Sequence, residues 1–185
     1  MKEAIVARRY ASALFEVASE NQKVNEVYSD IRQIYNLCQK SRDFSLMLKN
    51  PVVPAPQKRK IMKVLFDGKI EDISLRFFLI LASKGREDIT EEICNQFVII
   101  YKEANNIHDI TIRTASPLSK ENREEILNQL NTVINGTIEL EEIIEPALIG
   151  GYQLLYDDKR YDASVRKQIS ELRRKFTENL FVKQF

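Results

Sequence analysis

Over the first hundred residues apolar side chains recur every three to four positions, the spacing of helices that bury one face. Between Ala4 and Ser19 one stripe holds Ala4, Ala7, Ala11, Leu14, Phe15 and Ala18, and an adjacent line holds Val6, Tyr10, Ala13 and Val17. That is more apolar surface than one neighbouring helix covers. Val24, Val27, Ile31, Ile34, Leu37 and Cys38 predict a second helix, and Phe44, Met47 and Leu48 a short third, closed by Pro51, Pro54 and Pro56. A fourth through Ile61, Met62, Leu65 and Phe66 ends near Asp67-Gly68. A fifth, from Ile73 to Ala82, ends near Lys84-Gly85, with glycine suited to the left-handed cap in both cases. Within the fifth, Phe77, Phe78, Leu79, Ile80 and Leu81 are consecutive, so apolar groups point in every direction. Ile89, Ile93, Phe97, Ile100 and Tyr101 mark a sixth helix, with Glu91 and Glu92 near its positive end.

Past Tyr101 the period drops to two: Ile110, Ile112 and Thr114 alternate with Asp109, Thr111 and Arg113, the pattern of a strand with one buried face. A domain boundary near residue 105 follows from that change. Ser119 is placed to cap a helix that carries Ile126, Leu127, Leu130, Val133 and Ile134 and stops at Asn135-Gly136. Ile138, Leu140 and Ile143 predict a second strand and Tyr152, Leu154 and Tyr156 a third, followed by a polar turn over Asp157-Asp158-Lys159-Arg160. A closing helix, capped by Asp162 with Ser164 as the alternative, carries apolar Val165, Ile169, Leu172, Phe176 and Leu180, and basic Lys167, Arg173, Arg174 and Lys175. The expected fold is mainly α: a six-helix bundle over residues 1–105, then a small α+β domain over residues 106–185.

Composition narrows the function classes. With 28 Lys+Arg against 27 Asp+Glu the formal net charge is +1, so no overall field gathers nucleic acid or an anionic membrane. The apolar run Phe77–Ala82 is far short of the ~20 residues needed to span a bilayer. The start, Met1-Lys2-Glu3-Ala4-Ile5, has neither the apolar core of a secretory signal nor the Ser/Arg content of a transit peptide, and reads as the start of a chain that stays where it is made.

Catalytic chemistry finds no foothold. His108 is the only histidine, and no nucleophile or metal pattern surrounds it. Adjacent carboxylates (Glu91/Glu92, Glu141/Glu142, Asp157/Asp158) diverge on a regular helix or strand and suit caps and turns. Cys38 and Cys94 lie in apolar helical patterns and read as reduced core thiols. Gly150-Gly151 lacks the rest of a phosphate-loop fingerprint and reads as a structural turn that allows close backbone approach. No cofactor, metal or nucleotide site is expected. Lys58-Arg59-Lys60 with Lys63 is a basic cluster that reads as a solvated helix face, with RNA binding as its alternative.

Two explanations remain for the surplus apolar surface on the first and fifth helices. Either both are buried in their own bundle, or they leave a groove for a partner helix. In the groove, small Ala7, Ala11 and Ala13 would permit close approach, and Tyr10, Phe77 and Ile80 would act as anchors.

Several segments together resemble the delta-subunit family of F-type ATP synthases, which includes the oligomycin-sensitivity-conferring protein. They are Val6-Ala7-Arg8-Arg9-Tyr10-Ala11-Ser12-Ala13-Leu14-Phe15, Asn50-Pro51 with Lys60-Ile61, Phe78 through Lys84-Gly85-Arg86, Thr114-Ala115-Ser116-Pro117-Leu118-Ser119, Pro146-Ala147-Leu148-Ile149-Gly150-Gly151 and Asp162-Ala163-Ser164-Val165. The resemblance spans nearly the whole chain and implies a non-catalytic peripheral-stalk subunit. Its N-terminal domain would grip the N-terminal helix of an alpha subunit of the catalytic head between the first and fifth helices, at Ala7, Tyr10, Ala11, Ala13, Leu14, Phe77, Ile80 and Leu81. Its C-terminal domain would bind the b subunit of the stalk. It further implies no cofactor, no nucleic-acid partner, a monomer in isolation, and membrane attachment only through the complex; the start without a transit peptide fits the cytoplasmic face of a bacterial inner membrane, with a processed organellar chain as the alternative. The competing expectation is a free-standing helical RNA-binding or transcription-factor domain.

Overall fold

The computed structural model describes residues 2–156 and 159–177. The chain divides into two compact units, Met1–Ala104 and Asn105–Phe185.

The first unit holds α1 (Lys2–Glu20), α2 (Val24–Lys40), α3 (Arg42–Lys49), α4 (Ala55–Phe66), α5 (Asp72–Ser83) and α6 (Thr90–Ala104), with a 3-10 turn at Glu87–Ile89. Local chemistry sets the ends. Ser41 Oγ accepts from the Phe44 amide at 3.3 Å and starts α3, while Pro54 stands at the N-cap of α4, where its missing N–H is no loss. Beyond α5, Gly85 takes φ +64 and the Arg86 amide reaches back to the Leu81 carbonyl at 3.0 Å, closing the helix with a left-handed residue.

The core follows the stripes. Ala7, Ala11, Leu14 and Ala18 of α1 are all 2% exposed or less, and α1 packs most extensively on α6, where Ile93, Cys94 and Phe97 are closed to solvent. Three alanines along this face let the two backbones come close, and Phe15 meets Phe97 with ring centroids 6.0 Å apart. Val27, Ile31, Ile34 and Cys38 of α2 extend this interior, and Phe44 and Leu48 of α3, Met62 and Phe66 of α4, and Phe78 and Leu81 of α5 join it. Each large side chain removed from water here contributes roughly 1.5–3 kcal/mol before chain entropy is counted.

The second unit is built from β1 (Ile107–Thr114), α7 (Lys120–Val133), β2 (Thr137–Ile144), β3 (Tyr152–Tyr156), β4 (Lys159–Asp162) and α8 (Val165–Thr177). Strand order is β2-β1-β3-β4. β1 and β2 run parallel, with Ile107 opposite Thr137, and α7 makes the crossover that parallel neighbours require. β3 is antiparallel to β1, and β4 to β3. Ile110 and Ile112 on central β1 are fully buried. Ser119 caps α7 by accepting from the Asn122 amide at 3.2 Å.

One element departs from expectation. Lys159 and Arg160, expected in a polar turn, lie in β4, paired with Tyr156 and Leu155. An edge strand needs no apolar alternation, and charge there discourages further pairing. Asp157, Asp158 and Leu180 lie outside the described residues. Among the described residues no helix is long and apolar enough to cross a membrane.

Candidate partner-docking surfaces

On α5 the inward residues Leu75, Phe78, Leu81 and Ala82 are at most 8% exposed, as expected for a helix wedged into the bundle. The stripe beside them is not sealed. Ile73 and Phe77 are half-buried and Ile80, one turn on, is 54% exposed. Phe77 is held edge-on against Phe78, with centroids 5.4 Å apart and planes at 78°. α1, which packs against α5, repeats the arrangement: beside its buried face, Val6 and Tyr10 are half-buried, Ala13 is exposed and Val17 is 44% exposed. Two apolar lines, 73-77-80 and 6-10-13-17, therefore stay open to water on packed helices.

This corrects the expected contact set. Ala7, Ala11, Leu14 and Leu81 have 2% or less of their surface accessible and belong to the bundle's own core, so they offer a partner nothing to touch. The small residues Ala7 and Ala11 serve close packing inside the chain. Tyr10, Ala13, Phe77 and Ile80 retain surface, and Val6, Val17 and Ile73 lie on the same lines. Val6 and Val17 belong to the second stripe of α1, which is the better guide to the open face.

The basic cluster is also smaller than it reads. Lys58 is 3% exposed, and its ammonium donates to Glu87 Oε1 at 2.7 Å and to the Leu48 carbonyl at 2.8 Å. Only Arg59, Lys60 and Lys63 face solvent. The role of Lys58 has no local sequence signal, because its partner is 29 residues away.

In the second unit a groove of about 790 Å³ runs between α7 and the sheet. Ile126, Leu130 and Val133 line one wall and Leu154, Tyr156 and Tyr161 the other. His108 is fixed at its rim. The Asn135 carbonyl, 3.3 Å from Nε2, can only accept, so Nε2 donates to it, and Nδ1 pairs with the Tyr156 hydroxyl at 3.1 Å. The ring is a tether between α7's end and β3, with no nucleophile beside it. α8 contributes no buried residue and turns Ile169, Leu172 and Phe176 to solvent, at 40%, 52% and 82% exposed.

Residues 6–176 match the family model described as ATP synthase delta (OSCP) subunit. The chain belongs to that family. A protein of Clostridium botulinum (strain Langeland) named ATP synthase subunit delta is 36% identical over 167 residues, covering 90% of this chain and 93% of the relative. One of the same name from Cytophaga hutchinsonii is 30% identical over 180 residues, covering 97% and 98%. A chain of the Toxoplasma gondii mitochondrial ATP synthase hexamer has the same fold, with TM-score 0.69 at 23% identity over 94% of this chain and 98% of that one.

In this delta-family chain the Gly150-Gly151 segment braces backbone against backbone. Gly151 has φ +75, and a Cβ there would collide with the Ala163 carbonyl; one on Gly150 would lie 3.2 Å from Val165 Cγ2. The close approach lets the Val165 amide donate to the Gly150 carbonyl at 3.0 Å and the Ala163 amide to the Tyr152 carbonyl at 2.9 Å, joining the start of α8 to the sheet. The expected cap at Asp162 is displaced by two residues. Ser164 precedes the first residue of α8 and its Oγ accepts from the Lys167 amide at 3.3 Å, whereas Asp162 Oδ1 accepts from the Ser164 amide at 2.9 Å and closes the turn leading in. Hydrogen bonds from Ser164 hold the Asp162 carboxyl below its ordinary value. Both cysteines are free and buried, and burial raises Cys38 to about 11 and Cys94 well above its ordinary value, which leaves them without thiolate character at neutral pH.

Proposed function

We propose that this delta-family chain is a non-catalytic peripheral-stalk subunit of an ATP synthase that joins the catalytic head to the stalk and keeps the head from turning with the rotor. The single observation that carries the head-side contact is Ile80, left 54% exposed on a helix whose Phe78, Leu81 and Ala82 are core. Covering that much of an isoleucine is worth roughly 1–2 kcal/mol, and Phe77, Tyr10 and Val17 add to it, so the open lines suit an amphipathic helix laid along them. We assign this surface to the N-terminal helix of the alpha subunit, with Tyr10 and Phe77 as side walls and Ala13 as the close-approach point.

The second unit takes the b subunit of the stalk. Its support is the groove between α7 and the sheet together with the exposed apolar stripe of basic α8. In this role the chain moves no protons and makes or breaks no bonds. Rotor torque reaches the head, passes through the two docking surfaces, and is resisted by the stalk, so coupling depends on affinity and stiffness. Membrane association then occurs through the complex, and the bacterial relatives support the cytoplasmic face of an inner membrane. An RNA-binding reading has less to stand on, since Lys58 is withdrawn from the basic patch into an ion pair.

The test is calorimetric titration of the full chain with a synthetic peptide from the start of the alpha polypeptide and, separately, with one from the end of the b polypeptide. Saturable binding of each is expected, and failure of both removes the assignment.

A further inference from the structure

α5 poses a problem that apolar packing alone does not solve. Asp72 and Arg76 fix the solvent side of the helix, but Phe77, Phe78, Leu79, Ile80 and Leu81 are consecutive, so a partial turn about its axis would exchange one apolar flank for another with little change in burial. Yet the structure has a single arrangement, with Phe78 and Leu81 inside and Ile80 outside. Something directional must choose it.

A buried carboxylate on α2 meets the start of this helix. Asp30 is 6% exposed. Its Oδ2 accepts from the backbone amide of Glu71 at 2.9 Å and from the hydroxyl of fully buried Ser74 at 2.7 Å. Glu71 is the N-cap residue of α5 and makes no cap with its own side chain, so the cap comes from another helix. The carboxylate also stands at the positive end of α5. Lys23 reinforces the junction by pairing with Glu71 at 2.7 Å, though both side chains are partly exposed and that pair contributes little alone.

We propose that Asp30 is a positioning residue that sets the rotation of α5 and so decides which face is presented to the partner helix. This rests on the docking role assigned above. Burying a carboxylate among apolar side chains is unfavourable unless its hydrogen bonds are made, and both bonds exist only when Ser74 points at α2. Ser74 facing inward places Phe77 and Ile80, three and six residues on, along the open line. Ile80 lies about 9 Å along the axis from Ser74, so the orientation is carried rigidly over less than two turns.

The test compares full-length variants for affinity to the peptide from the start of the alpha polypeptide by calorimetry, with folding followed by circular dichroism. Asp30→Ala should weaken binding about fivefold or more because the competent orientation is less populated. Asp30→Asn, whose amide oxygen can take both bonds, should stay within about twofold of wild type. Leu48→Ala truncates the core on α3, away from the start of α5, and should lower stability while leaving affinity unchanged.

Wild-type affinity in Asp30→Ala would overturn the proposal. So would an equal loss in Leu48→Ala, because affinity would then merely follow stability. Should Asp30→Ala fail to fold, Ser74→Ala removes one of the two bonds and is judged by the same comparison, with an expected loss of about threefold or more. Ile80→Asp separates the two claims. Wild-type binding by that variant would remove the docking role and the Asp30 proposal together, whereas its loss alongside wild-type binding by Asp30→Ala would remove the Asp30 proposal alone.

Discussion

Replacing Lys58 by methionine keeps an unbranched apolar stem and deletes one buried charge. In the folded chain the Lys58 ammonium joins three pieces of the bundle: its own helix α4, the Leu48 carbonyl at the end of α3, and Glu87 in the 3-10 turn that follows α5. Its side chain is 3% exposed and that of Glu87 10%, while Glu87 Oε2 is buried with no hydrogen-bond partner. Without Lys58 the carboxylate has no cation to offset it, and orphaning one member of a buried pair costs about 3–5 kcal/mol. A domain of this size has about 5–15 kcal/mol in all, so the loss is a large fraction of the total. In urea, followed by circular dichroism at 222 nm, the bundle's midpoint should fall by about 2 M for a slope near 2 kcal/mol/M. Lys58→Met combined with Glu87→Leu should recover most of that, since no charge remains buried. A loss below about 1 kcal/mol in the single variant, or a double variant no better than the single, would refute the assigned role of the pair.

Further outcomes follow from individual residues. Gly151→Ala meets both a left-handed φ and the Ala163 carbonyl, and should destabilise the second unit by about 1–3 kcal/mol, seen as loss of dispersed amide signals from β3 and α8 by NMR. Asp162 is a carboxyl held below its ordinary value of 3.8, so its contribution is present above that value and disappears as pH falls through its lower folded value. In an acid titration followed by NMR of the α8 amides, Asp162→Asn should flatten that limb, and an unchanged profile would count against the turn. Cys38, raised to about 11, and fully buried Cys94 should react with a thiol reagent at pH 8 at least about a hundredfold more slowly than free cysteine, until denaturant is added.

How much of the molecule is readable from sequence depends on whether periodicity carries information at each position. The six helices of the first unit and the strand lines of Ile110 and Tyr152 are legible because apolar and polar residues alternate there with a definite period. On α5 the solvent side is legible from Asp72 and Arg76, but the apolar flanks are not, because a run of five apolar residues has no phase, and Asp30, more than forty positions earlier, bonds the flank that packs inward. For the same reason Leu81 and Ile80 read alike in sequence, yet one is core and the other is exposed. Lys58 reads as solvated because a charge normally is, and the feature that buries it is a distant glutamate. β4 escapes notice because an edge strand of Lys159, Arg160, Tyr161 and Asp162 has no apolar alternation. The cap of α8 falls on Ser164 and not Asp162 because both residue types satisfy helix starts and the turn uses one of each.

The most direct measurement is the affinity of full-length wild-type and Ile80→Asp chains for the isolated catalytic head, with the fold of each checked by circular dichroism. A charge placed on the open line should weaken association about thirtyfold or more, equivalent to about 2 kcal/mol, while the bundle remains folded. A folded Ile80→Asp chain that binds the head as tightly as wild type would contradict the account.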